Sequence, residues 1–210
     1  MKIFFLLLGW FLSLIYCPYI PKVLYIARDY LYTGYYRCLF KFFGLGSIIK
    51  HPFSYARGLE YVIIGNKYSI GAHVELTAWD TYRRQKFTPE IIVGDGSCIR
   101  DYSHINAIQS IRIGNGVLTG PNILITDNAH GASIEELLSL PPQARPLHSK
   151  GPVVIDDNVW IGEKSSIMPG VHIGMGAIIA ANSVVTHDIP PYCVAAGTPA
   201  KVIKVIRNYN

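Results

Sequence analysis

The sequence contains no CxxC pair. Its four cysteines, Cys17, Cys38, Cys98 and Cys193, are scattered through 210 residues, and none stands at a metal-binding spacing from a histidine. No disulfide framework and no metal site are expected; the cysteines read as free thiols in a reducing compartment. A membrane-spanning run is missing too. Residues 3–17 are almost wholly apolar, but fifteen residues of helix reach about 22 Å, short of the roughly 30 Å hydrocarbon core of a bilayer. No small-x-small cleavage site follows, and Tyr16 ahead of Cys17 is too large for a lipoprotein-type site, so a removable leader is not supported. Excess positive charge is confined to one end. Residues 1–60 carry seven Lys/Arg against two acids, whereas the remaining 150 residues carry twelve of each sign. With the basic residues at one end and no reading module present, nucleic acid is not an expected partner.

Over residues 155–185 neither a helical nor a simple strand period is present. An apolar β-former instead recurs at every sixth residue: Ile155, Ile161, Ile167, Ile173, Ile179, Val185. A six-residue repeat predicts a parallel β-helix, each unit forming one short side of a coil. The first position fills the axis. The fifth, also inward-leaning, holds the small or branched Val159, Ser165, Val171, Ala177 and Ser183. The fourth reads Asn158, Lys164, Gly170, Gly176 and Asn182, four of five suited to φ > 0 at a corner. Rougher runs lie upstream at Ile64, Ile70 and Leu76, at Val93, Ile99, Ile105 and Ile111, and at Ile113, Thr119 and Ile125. The last two are out of phase by two residues, and bulges or small insertions are expected there.

Three segments stand apart from the repeats. Residues 1–55 read as a helical extension, a repeat domain spans 60–200 with an inserted loop at 131–151, and 201–210 form a tail. The first 60 residues hold 16 of the 25 aromatics. Pro18 and Pro21 end the first apolar helix, and residues 22–43 predict a second, basic and aromatic helix or helix pair, broken near Gly34. Tyr, Trp, Phe and Lys/Arg together suit a membrane headgroup layer, giving peripheral attachment at the cytoplasmic face of a membrane. The competing reading is that these helices cap the open end of the coil or pack between subunits. The loop 131–151, with Pro141, Pro142 and Pro146 and no six-residue period, reads as functional.

Two motifs go further. The run NVWIGEKSSIMPGVHIGMGAIIAANSVVTHDIPPYCVAAGTPAKVIK and the segment IGNGVLTGPNILITDNAHG resemble the hexapeptide-repeat acyltransferases. Within them the chain is similar to sugar O-acetyltransferases, such as the galactoside and maltose enzymes and those that decorate capsule or lipopolysaccharide. The resemblance covers residues 60–205 and not 1–50. It implies an all-β, left-handed parallel β-helix, a homotrimer with active sites between neighbouring coils, and acetyl-coenzyme A as donor. It also implies site residues. His130, in TDNAHG, matches the catalytic base; a group titrating near neutral pH is needed because a sugar hydroxyl is a poor nucleophile until its proton is removed. Asn106 matches a residue that contacts the acceptor or the developing oxyanion; it reads equally as a corner residue. Asp127 either orients an imidazole or binds a sugar hydroxyl, or is a turn residue. Trp160, Gly162, Glu163 and Ala181 match the groove along the pantetheine arm, with Glu163 where several relatives have Ser. Thr186 matches a residue near the adenosine phosphate, its neighbour His187 replacing a lysine. Lys201 and Lys204 match phosphate-binding basic residues. His148 and Lys150, in the inserted loop, are placed to reach the acceptor.

The expected reaction is O-acetylation of a sugar, and the N-terminus points to a lipid-linked or membrane-proximal glycan precursor. N-acetylation of an amino-sugar nucleotide is the alternative, since the same base serves an amine. A carbonic-anhydrase-like metalloenzyme using His73, His104 and His130, and a non-catalytic scaffold, are the remote ones; His51 and His172 read as surface or corner residues.

Overall fold

The computed structural model describes residues 1–15 and 19–206, so Cys17, Pro18 and the end of the expected tail lie outside it. The six-residue period becomes three parallel sheets that the chain visits in rotation. The first sheet stacks Phe42–Phe43, Val62–Ile64, Glu90–Val93, Ser110–Ile113, Val153–Ile155 and His172–Ile173. The second stacks Ile48–Ile49, Ser69–Ile70, Cys98–Ile99, Leu118–Thr119, Trp160–Ile161, Ile178–Ile179 and Cys193–Gly197, and ends in the antiparallel strand Ala200–Val205. The third stacks Tyr55–Arg57, Glu75–Ala78, His104–Ala107, Leu124–Thr126, Ser166–Ile167 and Val184–Val185.

The inward columns behave as size and shape require. Ile155, Ile161, Ile167, Ile173, Ile179 and Val185 are at most 1% exposed, and the fifth-position Val159, Ser165, Val171, Ala177 and Ser183 are equally buried. Each buried Ile contributes about 1.5–3 kcal/mol relative to exposure. The buried hydroxyls are satisfied by a neighbouring turn of chain: Ser165 Oγ donates to the carbonyl of Ala180 at 3.0 Å, and Ser97 Oγ donates to that of Gly114 at 2.8 Å. All five fourth-position residues adopt positive φ, including Lys164 at 56°. Upstream, Tyr102, fourth in the unit that begins at Ile99, does so as well (φ 60°), while Ile108, fourth in the unit that begins at Ile105, does not. A third-position column ties corners together. Asp95 Oδ1 accepts the Asn66 N–H at 2.7 Å, Asn115 Oδ1 accepts that of Asp95 at 2.8 Å, and Asp157 Oδ1 accepts that of Asn115 at 2.7 Å. Accepting the Asn66 bonds holds the Asp95 carboxyl below its ordinary pKa.

The phase breaks have a common location. Spacing between axial residues widens from Leu76 to Val93, from Ile105 to Ile113 and from Ile125 to Ile155, each time where the chain leaves the third sheet for the first. The first widening is a hairpin pairing Thr81–Tyr82 with Gln85–Lys86. The third is the 131–151 loop, which carries a short helix, Glu135–Leu138, and closes by pairing Ala129–His130 with Leu147–His148. One corner of the coil is thus built out, turn after turn.

The N-terminus departs from expectation in three ways. The sheets begin at Phe42, ahead of the expected boundary near residue 60. The second helix, α2 (Tyr19–Tyr36), runs through Gly34 without a break, and Pro21 sits in its first turn, where a missing N–H costs nothing. Its C-terminal half covers the coil's first turn. Thr33 Oγ1 accepts the Ile49 N–H at 2.9 Å, Asp29 Oδ1 accepts that of His51 at 3.1 Å, and the Tyr32 hydroxyl oxygen accepts that of Phe53 at 2.8 Å. Burial pushes the Tyr32 phenol up to about 12, with the Phe53 N–H pulling the other way. The first helix, α1 (Lys2–Ile15), exposes Ile3, Phe4, Phe5, Leu6, Leu7, Trp10 and Phe11 to more than half their extent. Among the described residues no helix is long and apolar enough to cross a membrane.

Candidate active site

His130 lies on the built-out corner. It occupies the two-stranded ribbon in which Ala129 faces His148 and His130 faces Leu147. Opposed residues of an antiparallel pair point to the same side, and neighbours along a strand to opposite sides. The ribbon therefore has two functional faces. On one, the exposed His130 and the buried Leu147 join Trp79, Tyr82, Asn106 and Asn128 around a pocket of about 90 Å³. On the other, Ala129 and His148 join Gly131, Lys150, Met168 and Thr186 around a cavity of about 440 Å³.

Two insertions fix this geometry. Gln85 clasps Leu147 as a strand would: the Leu147 N–H donates to Oε1 at 2.7 Å, and Nε2 donates to the Leu147 carbonyl at 3.0 Å. The Tyr82 ring meets the His130 ring edge-on, centroids 5.7 Å apart, and its hydroxyl donates to the Gln143 carbonyl at 3.3 Å. Arg57 stacks over Trp79 at 4.0 Å from the ring centroid. Asn106 Oδ1 accepts from Thr77 Oγ1 at 3.2 Å, an orientation that leaves Nδ2 as the amide's donor end. No motif in the sequence picks out Trp79, Tyr82 or Gln85. Their one signal is the stretch WDTYRRQKF, which fills the break between Leu76 and Val93.

Asp127, expected at the acceptor, lines neither the His130 pocket nor the cavity behind the ribbon. It is fully buried, and its carboxylate accepts the backbone N–H groups of Ile108 at 2.9 Å, Gln109 at 2.7 Å and Ser110 at 2.8 Å, with Asn128 Nδ2 at 3.1 Å. Its oxygens are committed to holding the widened corner that follows Ala107. His148 and Lys150 also differ from expectation, because they lie across the ribbon from the His130 pocket, in the cavity with Thr186. The Thr186 hydroxyl and His187 Nδ1 are 2.9 Å apart.

The remaining site residues sit elsewhere in the protomer. Trp160, about half exposed, is on the second sheet, paired with Ile178. Gly162, Glu163 and Ala181 follow at the corner between the second and third sheets. A Cβ on Gly162 would collide with the backbone of Ala181, so the close approach that this glycine permits is that of the next turn of the coil. Lys201 pairs with Ala196 and Lys204 with Val194 in the C-terminal hairpin. One chain thus brings together His130, Asn106 and, behind the ribbon, Thr186, and leaves Trp160, Gly162, Glu163 and Ala181 at another corner.

The other histidines are dispersed. His73 stacks on Tyr102 (4.8 Å, 5°), and His172 Nε2 lies 3.0 Å from Asp156 Oδ2. Burial lowers the His104 pKa, with Glu75 pulling weakly upward. Among the described residues no three His, Cys, Asp or Glu side chains cluster closely enough to hold a metal.

Comparison with known proteins follows the same lines. Residues 152–187 match the model of bacterial transferase hexapeptide (six repeats). Over 161 residues the chain is 36% identical to the lipopolysaccharide biosynthesis O-acetyl transferase WbbJ of Escherichia coli (strain K12), covering 75% of this chain and 78% of that protein. The chain belongs to the hexapeptide-repeat transferase family. This hexapeptide transferase is accordingly an acyltransferase. Its similarity to the galactoside O-acetyltransferase of the same organism is 38% over 104 residues, 47% of this chain and 46% of that one. Its fold is also that of an N-acyltransferase, AntD from Bacillus cereus, solved as a point mutant with dTDP-4-amino-4,6-dideoxyglucose and coenzyme A. The TM-score is 0.63 at 17% identity, over 83% of this chain and 89% of that chain.

Proposed function

We propose that this transferase moves an acetyl group from acetyl-coenzyme A to a hydroxyl of a sugar in a surface-polysaccharide precursor, with His130 as general base. The observation that carries the reading is the ribbon: an exposed imidazole faces a small aromatic pocket with Asn106, and a larger cavity lined by Thr186 lies directly behind. In the reaction the sugar hydroxyl attacks the thioester carbonyl carbon while His130 accepts its proton. The tetrahedral intermediate collapses, the carbon–sulfur bond breaks, and the coenzyme leaves as a thiolate that takes the proton back from the imidazolium. The Asn106 amide is suited to donate to the oxyanion.

The coil is left-handed and the working unit a homotrimer in this reading. Trimer formation has a physical motive, because His130 and the Trp160 corner are separated within a chain. Packing one chain's built-out corner against the next chain's second sheet joins acid–base and coenzyme-holding residues at an interface. Trp160, the backbone amides of Glu163 and Ala181, Thr186, Lys201 and Lys204 then hold the coenzyme. α1, too short to span a bilayer and exposed on its apolar surface, lies in the cytoplasmic headgroup region beside the precursor.

The test is His130→Ala, assayed by free-thiol release from acetyl-coenzyme A against a panel of sugars, amino sugars and lipid-linked precursors. Turnover is expected to fall by a factor of about 10² to 10⁴, with coenzyme binding and trimer mass unchanged. A variant that keeps most of its turnover would refute the mechanism, and acetylation confined to amines would convert the reading to N-acetylation.

A further inference from the structure

The hairpin over the site ends in two arginines. Arg83 and Arg84 form the two-residue turn between Thr81–Tyr82 and Gln85–Lys86, and both are exposed. Arg83 adopts φ 54°, a conformation that such turns normally give to Gly, Asn or Asp. At this loop tip no neighbouring turn of the coil imposes the conformation, and the sequence keeps a long cation there at some cost in strain. With Gln85, Ala144 and Pro146 the two arginines line a cavity of about 460 Å³. It adjoins the His130 pocket through contacting residues. Gln85 is the clasp on Leu147, and the Arg83 guanidinium lies 6.0 Å from the centroid of the Tyr82 ring that meets His130. Among the described residues no carboxylate lies within ion-pair distance of Arg83, Arg84 or Lys86.

A sugar hydroxyl and ring need no cation. Two neighbouring guanidinium groups without carboxylates, in a cavity large enough for several non-hydrogen atoms, fit an oxyanion with several acceptor oxygens. We infer that the acceptor is a sugar bearing a phosphate or diphosphate, with the sugar in the Trp79–Tyr82 pocket and the phosphate oxygens on Arg83 and Arg84. The inference rests on the His130 pocket being the acceptor site. The same headgroup chemistry comes from two sources, a nucleotide-activated sugar or a lipid-linked one.

Calorimetric titration of inorganic pyrophosphate into the full chain tests it, with the protein saturated in coenzyme A so that the coenzyme's own phosphate sites are filled. Wild type is expected to bind. Arg83→Ala/Arg84→Ala should weaken binding by about tenfold or more, and Arg83→Lys/Arg84→Lys should recover most of it. Arg84→Glu, at the unstrained position, is the second variant and should abolish binding with the melting temperature unchanged. Uridine diphosphate and farnesyl diphosphate compete as nucleotide and lipid sources, and the stronger competitor identifies the source. Pyrophosphate binding that is absent from wild type, or as tight in the alanine and glutamate variants as in wild type, would overturn the inference. So would failure of both organic diphosphates to compete. His130→Ala should bind pyrophosphate as wild type does, so this result is independent of whether His130 is the base.

Discussion

A carboxylate in the middle of TDNAHG invites a catalytic role, and Asp127 has a structural one. Three consecutive backbone N–H groups, of Ile108, Gln109 and Ser110, converge on this fully buried carboxylate. The Ile108 N–H would otherwise be a buried donor without a partner, at about 1–3 kcal/mol, and the part-buried Gln109 and Ser110 N–H groups would lose a charged acceptor. Asp127→Ala is therefore expected to destabilise the fold by on the order of 3 kcal/mol in urea denaturation, with coenzyme binding retained by the protein that remains folded. Equal denaturation midpoints for variant and wild type would show that the corner holds without it. Sequence conveys the residue types at fixed repeat positions well, because packing dictates them: Ile in, small residues beside it, Asn or Gly at the turn. It does not convey Asp127's role, since a buried acceptor and a ligand share one chemistry. Nor does it foretell that Lys164 and Tyr102 take left-handed dihedrals; there the neighbouring turns of chain impose the conformation on residues that disfavour it.

Helices and insertions are legible according to whether their packing is periodic. The run 155–185 is readable because every sixth residue meets the same neighbours. The hairpin at Tyr82 and the clasp by Gln85 depend on contacts about 60 residues apart in sequence with the 131–151 loop, and no local pattern encodes those. Of the two roles weighed for the N-terminus, α2 meets that of the cap, and the proposed membrane contact is left to α1. α2 closes the coil's first edge through Thr33, Asp29 and Tyr32, so removing all of residues 1–43 would strip the cap and the first strand. Removal of residues 1–15 deletes α1 alone. That truncation is expected to keep wild-type melting and turnover on a soluble acceptor, and to lose co-flotation with vesicles containing anionic lipid. Continued flotation of the truncated chain would place membrane contact elsewhere, with α2's exposed Val23, Leu24, Tyr30 and Leu31 as the next surface.

At the scale of the molecule, the arrangement of corners decides the mechanism. The coil builds out its third-to-first corner around His130, and keeps its second-to-third corner lean around Gly162 and Ala181. In the proposed reading a single chain holds half of a coenzyme-dependent site on each. Co-expression of two differently tagged chains, one His130→Ala and the other Trp160→Ala/Lys201→Ala/Lys204→Ala, followed by tandem purification, gives trimers that contain both. Neither variant alone should turn over. In a mixed trimer of either composition, one interface of three pairs an intact His130 with an intact Trp160 side, so acetyl transfer should return to about one third of the wild-type rate. Mixed trimers that stay inactive would mean that His130 and the coenzyme groove do not meet between subunits, and the account of the active site would be wrong.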